Sequence, residues 1–151
     1  MYSKGELTVM KMRCLIGLLA IAIALVATAS AKTVILDTDG SELGRVEDNG
    51  AITNGDFEVG EIDAAAGVVY DSAGGTMGYL DGGTVRNAAR LVVGYYEEPE
   101  GKIFDADRAV IAKLKDDGTI VNDGGSEVGR WRGKKDARAV AVFAFFFNRF
   151  I

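Results

Sequence analysis

Carboxylates are the abundant reactive groups of this chain: 22 Asp and Glu stand against 17 Lys and Arg, and there is no histidine. Lack of histidine removes the usual general base near neutral pH and the commonest transition-metal ligand. The single cysteine, Cys14, precedes an apolar run near the N-terminus, so thiolate catalysis and thiolate zinc sites are not expected beyond it. Asp37-Thr38-Asp39-Gly40 and Asp105-Ala106-Asp107 alternate acids as calcium loops do. An EF-hand needs Gly where Glu42 stands, which leaves a looser oxygen cage or, as the simpler reading, turns whose acids bond their own backbone. Two carboxylates about 5 to 10 Å apart would suit glycosidic hydrolysis, but sequence alone brackets no such pair. Ser41, Ser72 and Ser126 fall among turn residues with no histidine to activate them. No catalytic residue, cofactor or metal is assigned.

Aromatic side chains offer a second kind of chemistry. Tyr70, Tyr79, Tyr95 and Trp131 (with Tyr96 beside them) are candidates for a ligand platform of the kind that stacks on sugars. Half-buried strands favour aromatics for packing alone, and that reading stays open.

The elements that must position these groups come from a repeat. A pattern of Gly-x-[Ile/Val]-x-[Asp/Asn], a polar stretch, then apolar-Gly-x-apolar recurs in six copies about 17 residues apart, clearest in GVVYDSAGGTMGYL from Gly67 to Leu80. Its third position is Ile35, Ile52, Val69, Val85, Ile103 and Ile120, and its late glycine is Gly44, Gly60, Gly78, Gly94 and Gly129, with Ala112 as the exception. Short β-branched runs bounded by Gly, Asp and Asn predict two strands per copy. The apolar residues before and after the late glycine differ in strand parity, which predicts a bulge there or else a sheet buried on both faces. Five hairpins are expected across the copy boundaries, with the first strand near Val34–Leu36 and the last near Val128–Trp131 left to close a ring.

The two ends differ from the body. Lys11 and Arg13, the apolar run Leu15 to Val26 and Ala29-Ser30-Ala31 read as a signal peptide, residues 1–31, cleaved after Ala31; the run is shorter than the roughly 20 residues of a membrane span. Its removal takes three bases and one acid, moving the net charge from −5 to about −7, so nucleic acid is not an expected partner. Residues 32–133 form the repeat domain. Residues 134–151 end in an Ala- and Phe-rich stretch with Phe143, Phe145, Phe146, Phe147 and Phe150. A helix over Asp136 to Arg149 would be apolar nearly all round and must be buried, as a plug in the hub of the ring. The competing reading is an exposed segment that attaches to a membrane or partner.

Leader, repeat and the terminal AVFAFFF together resemble the small secreted bacterial β-flower proteins, which occur in four-fold and five-fold forms. The resemblance covers nearly all of the chain beyond the leader and implies petal-like hairpins around an axis, with no known activity to carry over. The chain departs from the pattern at its shortened second unit, at Ala112 and in the longer turn holding Pro99. Five cross-boundary hairpins favour the five-fold form.

The expectation is therefore an all-β radial array of five to six hairpins with a C-terminal helix in its hub. It is read as an exported (periplasmic or extracellular) non-enzymatic binding or structural module for a glycan or protein partner. A carboxylate-based glycan hydrolase and attachment through the C-terminal segment are the alternatives.

Overall fold

The computed structural model describes residues 31–147, so the expected signal peptide up to Ser30 and the end from Asn148, including Phe150, lie outside the described residues. Twelve antiparallel strands form a closed barrel in which each strand pairs with its neighbours in sequence and the first pairs with the last. They are β1 Thr33–Leu36, β2 Glu42–Val46, β3 Ala51–Asn54, β4 Phe57–Asp63, β5 Val68–Asp71, β6 Thr76–Asp81, β7 Thr84–Asn87, β8 Val92–Glu97, β9 Lys102–Asp105, β10 Val110–Leu114, β11 Thr119–Val121 and β12 Glu127–Gly133. The expected cross-boundary hairpins are β2–β3, β4–β5, β6–β7, β8–β9 and β10–β11. The β1–β12 pair, from Thr33↔Gly133 to Leu36↔Arg130, supplies the expected closure and leaves no free edge.

Two kinds of strand pair alternate around the ring. Pairs within a copy, such as β5–β6, all carry a register shift, whereas the cross-boundary pairs and the closing pair run in regular register. In β5–β6, Val69 faces Gly78 and Tyr70 faces Thr76, so Met77 is the extra residue. Leu43, Val59, Val93, Ile111 and Val128 hold the same place in the other copies. A bulge adds one residue and so resets parity. Met77 and Leu80 can then both pack against the core on either side of the glycine. The parity conflict in the sequence is thus resolved by a bulge, and the doubly buried sheet is not needed.

Turn chemistry at the copy centres is as the fifth repeat position predicts. Asp37 Oδ1 accepts from the N–H groups of Asp39 (3.0 Å) and Ser41 (2.8 Å), and Asp105 Oδ1 accepts from Asp107 and Ala109 (both 2.9 Å). These acids close turns on their own backbone. Among the described residues, no group of three or more His, Cys, Asp or Glu is placed to hold a metal ion.

After β12 the chain turns into the hub. Thr33 Oγ1 donates to Lys134 O (2.9 Å) and Lys134 N donates to Lys32 O (3.0 Å), tying this exit to the start of β1. Helix α1, Ala137–Val142, is capped by Asp136, whose Oδ1 accepts from Ala139 N (2.8 Å). Ala137, Ala139, Val140, Ala141 and Val142 have no exposed surface. Inside a barrel whose own backbone bonds are used in the sheet, a segment must satisfy its backbone internally, which selects helix over strand. Small side chains let that helix fit.

The expected helix to Arg149 is corrected in one respect: α-helical winding stops at Val142 and a π-helical turn, Phe143–Phe147, follows. A π turn separates successive side chains by about 80° where an α-helix separates them by about 100°. Five residues thus spread nearly once around the axis, and the first and last rings, Phe143 and Phe147, end 5.5 Å apart. Each ring lies against a hub glycine: Phe143 on Gly44, Phe147 on Gly60, Phe146 on Gly78 and Phe145 on Gly94. A Cβ on Gly44 would stand 2.6 Å from Phe143 Cε1, a distance no packed carbon tolerates. By the same angular order, Ala144 falls toward β10 and β12, whose buried hub residues are Ala112 and Gly129. Five side chains of one π turn serve six bulged strand pairs.

Candidate functional site

Because the hub is filled, two outer regions are left for binding: the barrel wall and the mouth where α1 enters. Wall positions follow from register. Val69, Gly78, Val85 and Gly94 face inward, so the alternate residues Tyr70, Tyr79, Arg86, Tyr95 and Phe104 face outward. Tyr79 lies directly across from Arg86, and Tyr95 directly across from Phe104. Tyr70 lies across from Glu61. These residues share the outer face of β5 to β9, with Val68 and Thr84 paired to Tyr79 and Tyr95 between them.

Two of the tyrosine rings are covered. The guanidinium of Arg90 sits 4.2 Å from the ring centre of Tyr79, and that of Arg108 sits 4.0 Å from the ring centre of Tyr95. Both pairs are cation–π stacks, one per neighbouring petal. Both arginines occupy the left-handed region with φ of 66°. Gly40, Gly74 and Gly125 fill the equivalent turn position in three other copies, where positive φ is free of Cβ strain. Arg86 Nη1 donates to Arg90 O at 3.1 Å, bracing the turn.

Trp131 does not join this face. It pairs with the fully buried Ile35, faces the core, and donates from its indole nitrogen to Lys115 O at 2.9 Å. Of the four aromatic candidates from the sequence, Tyr70, Tyr79 and Tyr95 share the outer face of the wall and Trp131 is placed elsewhere. Arg86, Arg90 and Arg108 were not singled out in the sequence. The available signal was that Arg replaces a turn glycine in two adjacent copies, while the stacking beneath it is a product of the fold.

The mouth is acidic. A cavity of about 330 Å³ is lined by Glu47, Asp48, Glu61, Asp63, Lys134 and Asp136, among others. Asp136 is buried, 3.6 Å from Arg138 and 3.8 Å from Lys134. Nearby, Glu98 accepts from the N–H groups of Ala137 (3.1 Å) and Arg138 (3.2 Å) at the start of α1. Burial, and then the neighbouring Asp136 carboxylate, push the Glu98 carboxyl above the ordinary glutamate value, against the backbone bonds that lower it. These carboxylates serve the helix entrance, and Glu98 does not line the cavity. The hub side chains Phe143, Phe145, Phe146 and Phe147 and the glycines facing them are structural by their contacts.

No curated protein and no solved structure matches this chain. A family described as 5-fold beta-flower protein matches residues 32–148, well over half of the chain. The described strands make five hairpins across the copy boundaries, with the β1–β12 pair closing the ring. On that match and this architecture, the chain belongs to the 5-fold beta-flower protein family.

Proposed function

We propose that this protein is an exported, non-enzymatic module that binds an extracellular or periplasmic glycan through its outer wall. The observation that carries the reading is the filled hub. Small barrels either pack their interior or hold a ligand there, and here the chain's own C-terminal segment occupies that space. A ligand must then meet the outside, where the β5–β9 wall gathers aromatics. The leader, which supports export, lies outside the described residues, and the absence of histidine supports a non-enzymatic role. A binding screen of the purified protein against neutral and acidic glycans and peptidoglycan tests this. Retention of at least one glycan without its cleavage is expected, and cleavage of a retained glycan would overturn it.

The acid-lined mouth gives the hydrolase reading its one specific support. It requires two acids that flank a bound sugar. Asp63→Asn and Asp48→Asn variants that leave any measured glycan cleavage unchanged would dismiss it. Attachment through the C-terminal segment has less room, because the rings up to Phe147 are spent in the hub. Among the described residues, no helix is long and apolar enough to cross a membrane.

A further inference from the structure

The geometry points to a site for an acidic polysaccharide on the β5–β9 wall, with Arg90 and Arg108 as its carboxylate-binding groups; this rests on the glycan-binding reading above and names the ligand class. Three observations converge on it. First, the two arginines are held at φ of 66°, where a side chain costs about 1 kcal/mol or more and other copies use glycine. Nothing in the turn requires that cost, because Gly40, Gly74 and Gly125 make the same turn. Second, each guanidinium is laid flat on a tyrosine, which fixes its plane and leaves its N–H edge outward, the geometry for bidentate capture of a carboxylate. Third, among the described residues Arg86, Arg90 and Arg108 form no ion pair with a carboxylate, although acids outnumber bases in the chain.

The spacing suits a chain rather than a single small anion. The tyrosines of the two stacked pairs stand on β6 and β8, two strand spacings apart and offset by two residues along β7, or about 12 Å. The faces of Tyr79 and Tyr95 that lie under the guanidinium groups are closed to sugar stacking, whereas among the described residues no cation lies over the ring of Tyr70 on β5. A polymer with carboxylates at intervals would bridge both arginines and stack a ring on Tyr70. A net-negative protein repels polyanions of high charge density, which favours a uronic acid polymer with one carboxylate per sugar over duplex nucleic acid or polyphosphate, whose charges are packed more closely.

The test uses affinity electrophoresis and calorimetry of the purified protein with polygalacturonate, dextran and polyphosphate at two salt concentrations. Polygalacturonate is expected to bind in a salt-sensitive manner, and dextran and polyphosphate at least tenfold more weakly. Arg90→Gly and Arg108→Gly place in each turn the residue found in other copies, so the fold is retained. Each is expected to weaken polygalacturonate binding by about tenfold, and Tyr70→Ala to weaken it with unchanged salt dependence. Equal binding of polyphosphate, or undiminished binding by the R90G/R108G double variant, would overturn the site while leaving a glycan-binding role intact. Cleavage of the bound polymer would instead overturn the non-enzymatic role while leaving the site standing.

Discussion

The hub and the outer wall are built on the same strands and obey opposite rules. At the hub every copy offers Gly or Ala, and four rings from one π turn fill the space that the missing side chains leave. On the wall the same strands carry Arg45, Glu61, Tyr79, Tyr95, Lys113 and Arg130 at equivalent positions, so around the closed ring the chemistry changes from one acid to two aromatics to three bases. Interior packing tolerates little change in volume, whereas surface positions away from special contacts are worth a few tenths of a kcal/mol. Repetition therefore marks what the barrel needs to close, and variation marks where a ligand can be read.

This contrast can be broken most forcefully at the hub. Phe143 is 1% exposed, and Phe143→Ala should cost about 3–5 kcal/mol in chemical denaturation, enough to unfold a marginal domain. Retention of full stability would mean that the plug is not part of the core. Ala144→Phe adds a ring toward the strands of Ala112 and Gly129 and should cost about 1–3 kcal/mol. Adding Ala112→Gly should recover part of that loss, a coupling readable by a double-mutant cycle. Independence of the two changes would show that the plug's angular order differs from that drawn above.

The mouth lies between the two extremes. Because the folded-state Glu98 carboxyl is raised, the folded protein binds its proton more tightly than the unfolded chain does. Its contribution to stability is fully present below the ordinary glutamate value and is lost as pH rises through the raised one. Glu98→Gln should flatten the stability profile in that window, and thermal melts from pH 4 to pH 7 would detect it. A profile identical to the parent's would assign the pH dependence to other groups. The smallest stability effect belongs to the wall: Arg90→Gly and Arg108→Gly should leave the melting temperature unchanged or raise it slightly, since relief of positive-φ strain offsets the lost stacking. A large loss of stability in either would return those arginines to a structural role.

Much of the scaffold was legible because its signals are local. Five of the six copy-centre turns are closed by an Asp or Asn that bonds four residues ahead, and the first strand of each copy is a short run with a β-branched residue at its centre. Even the bulges announced themselves, as the clash of parity around each late glycine. Less was legible at the candidate site. Tyr70, Tyr79 and Tyr95 were recognisable as aromatics on neighbouring strands, yet Trp131 has the same residue chemistry and faces the core. Whether a strand residue faces in or out depends on one extra residue in the bulge, and composition does not reveal that.

By itself, then, the amino-acid order determined the repeat, the hairpins across its boundaries, the terminal strands left for closure and the need to bury a Phe-rich end. These follow from turn stereochemistry and from the free-energy cost of exposing apolar surface. Only the tertiary structure decided which ring meets which glycine, because a π turn and the barrel's angular order must be matched in space. It alone also laid Arg90 on Tyr79 and Arg108 on Tyr95, contacts between residues 11 and 13 apart that exist only once β6 to β10 are paired. The repeat encodes a barrel, and closure of that barrel brings its irregular residues together.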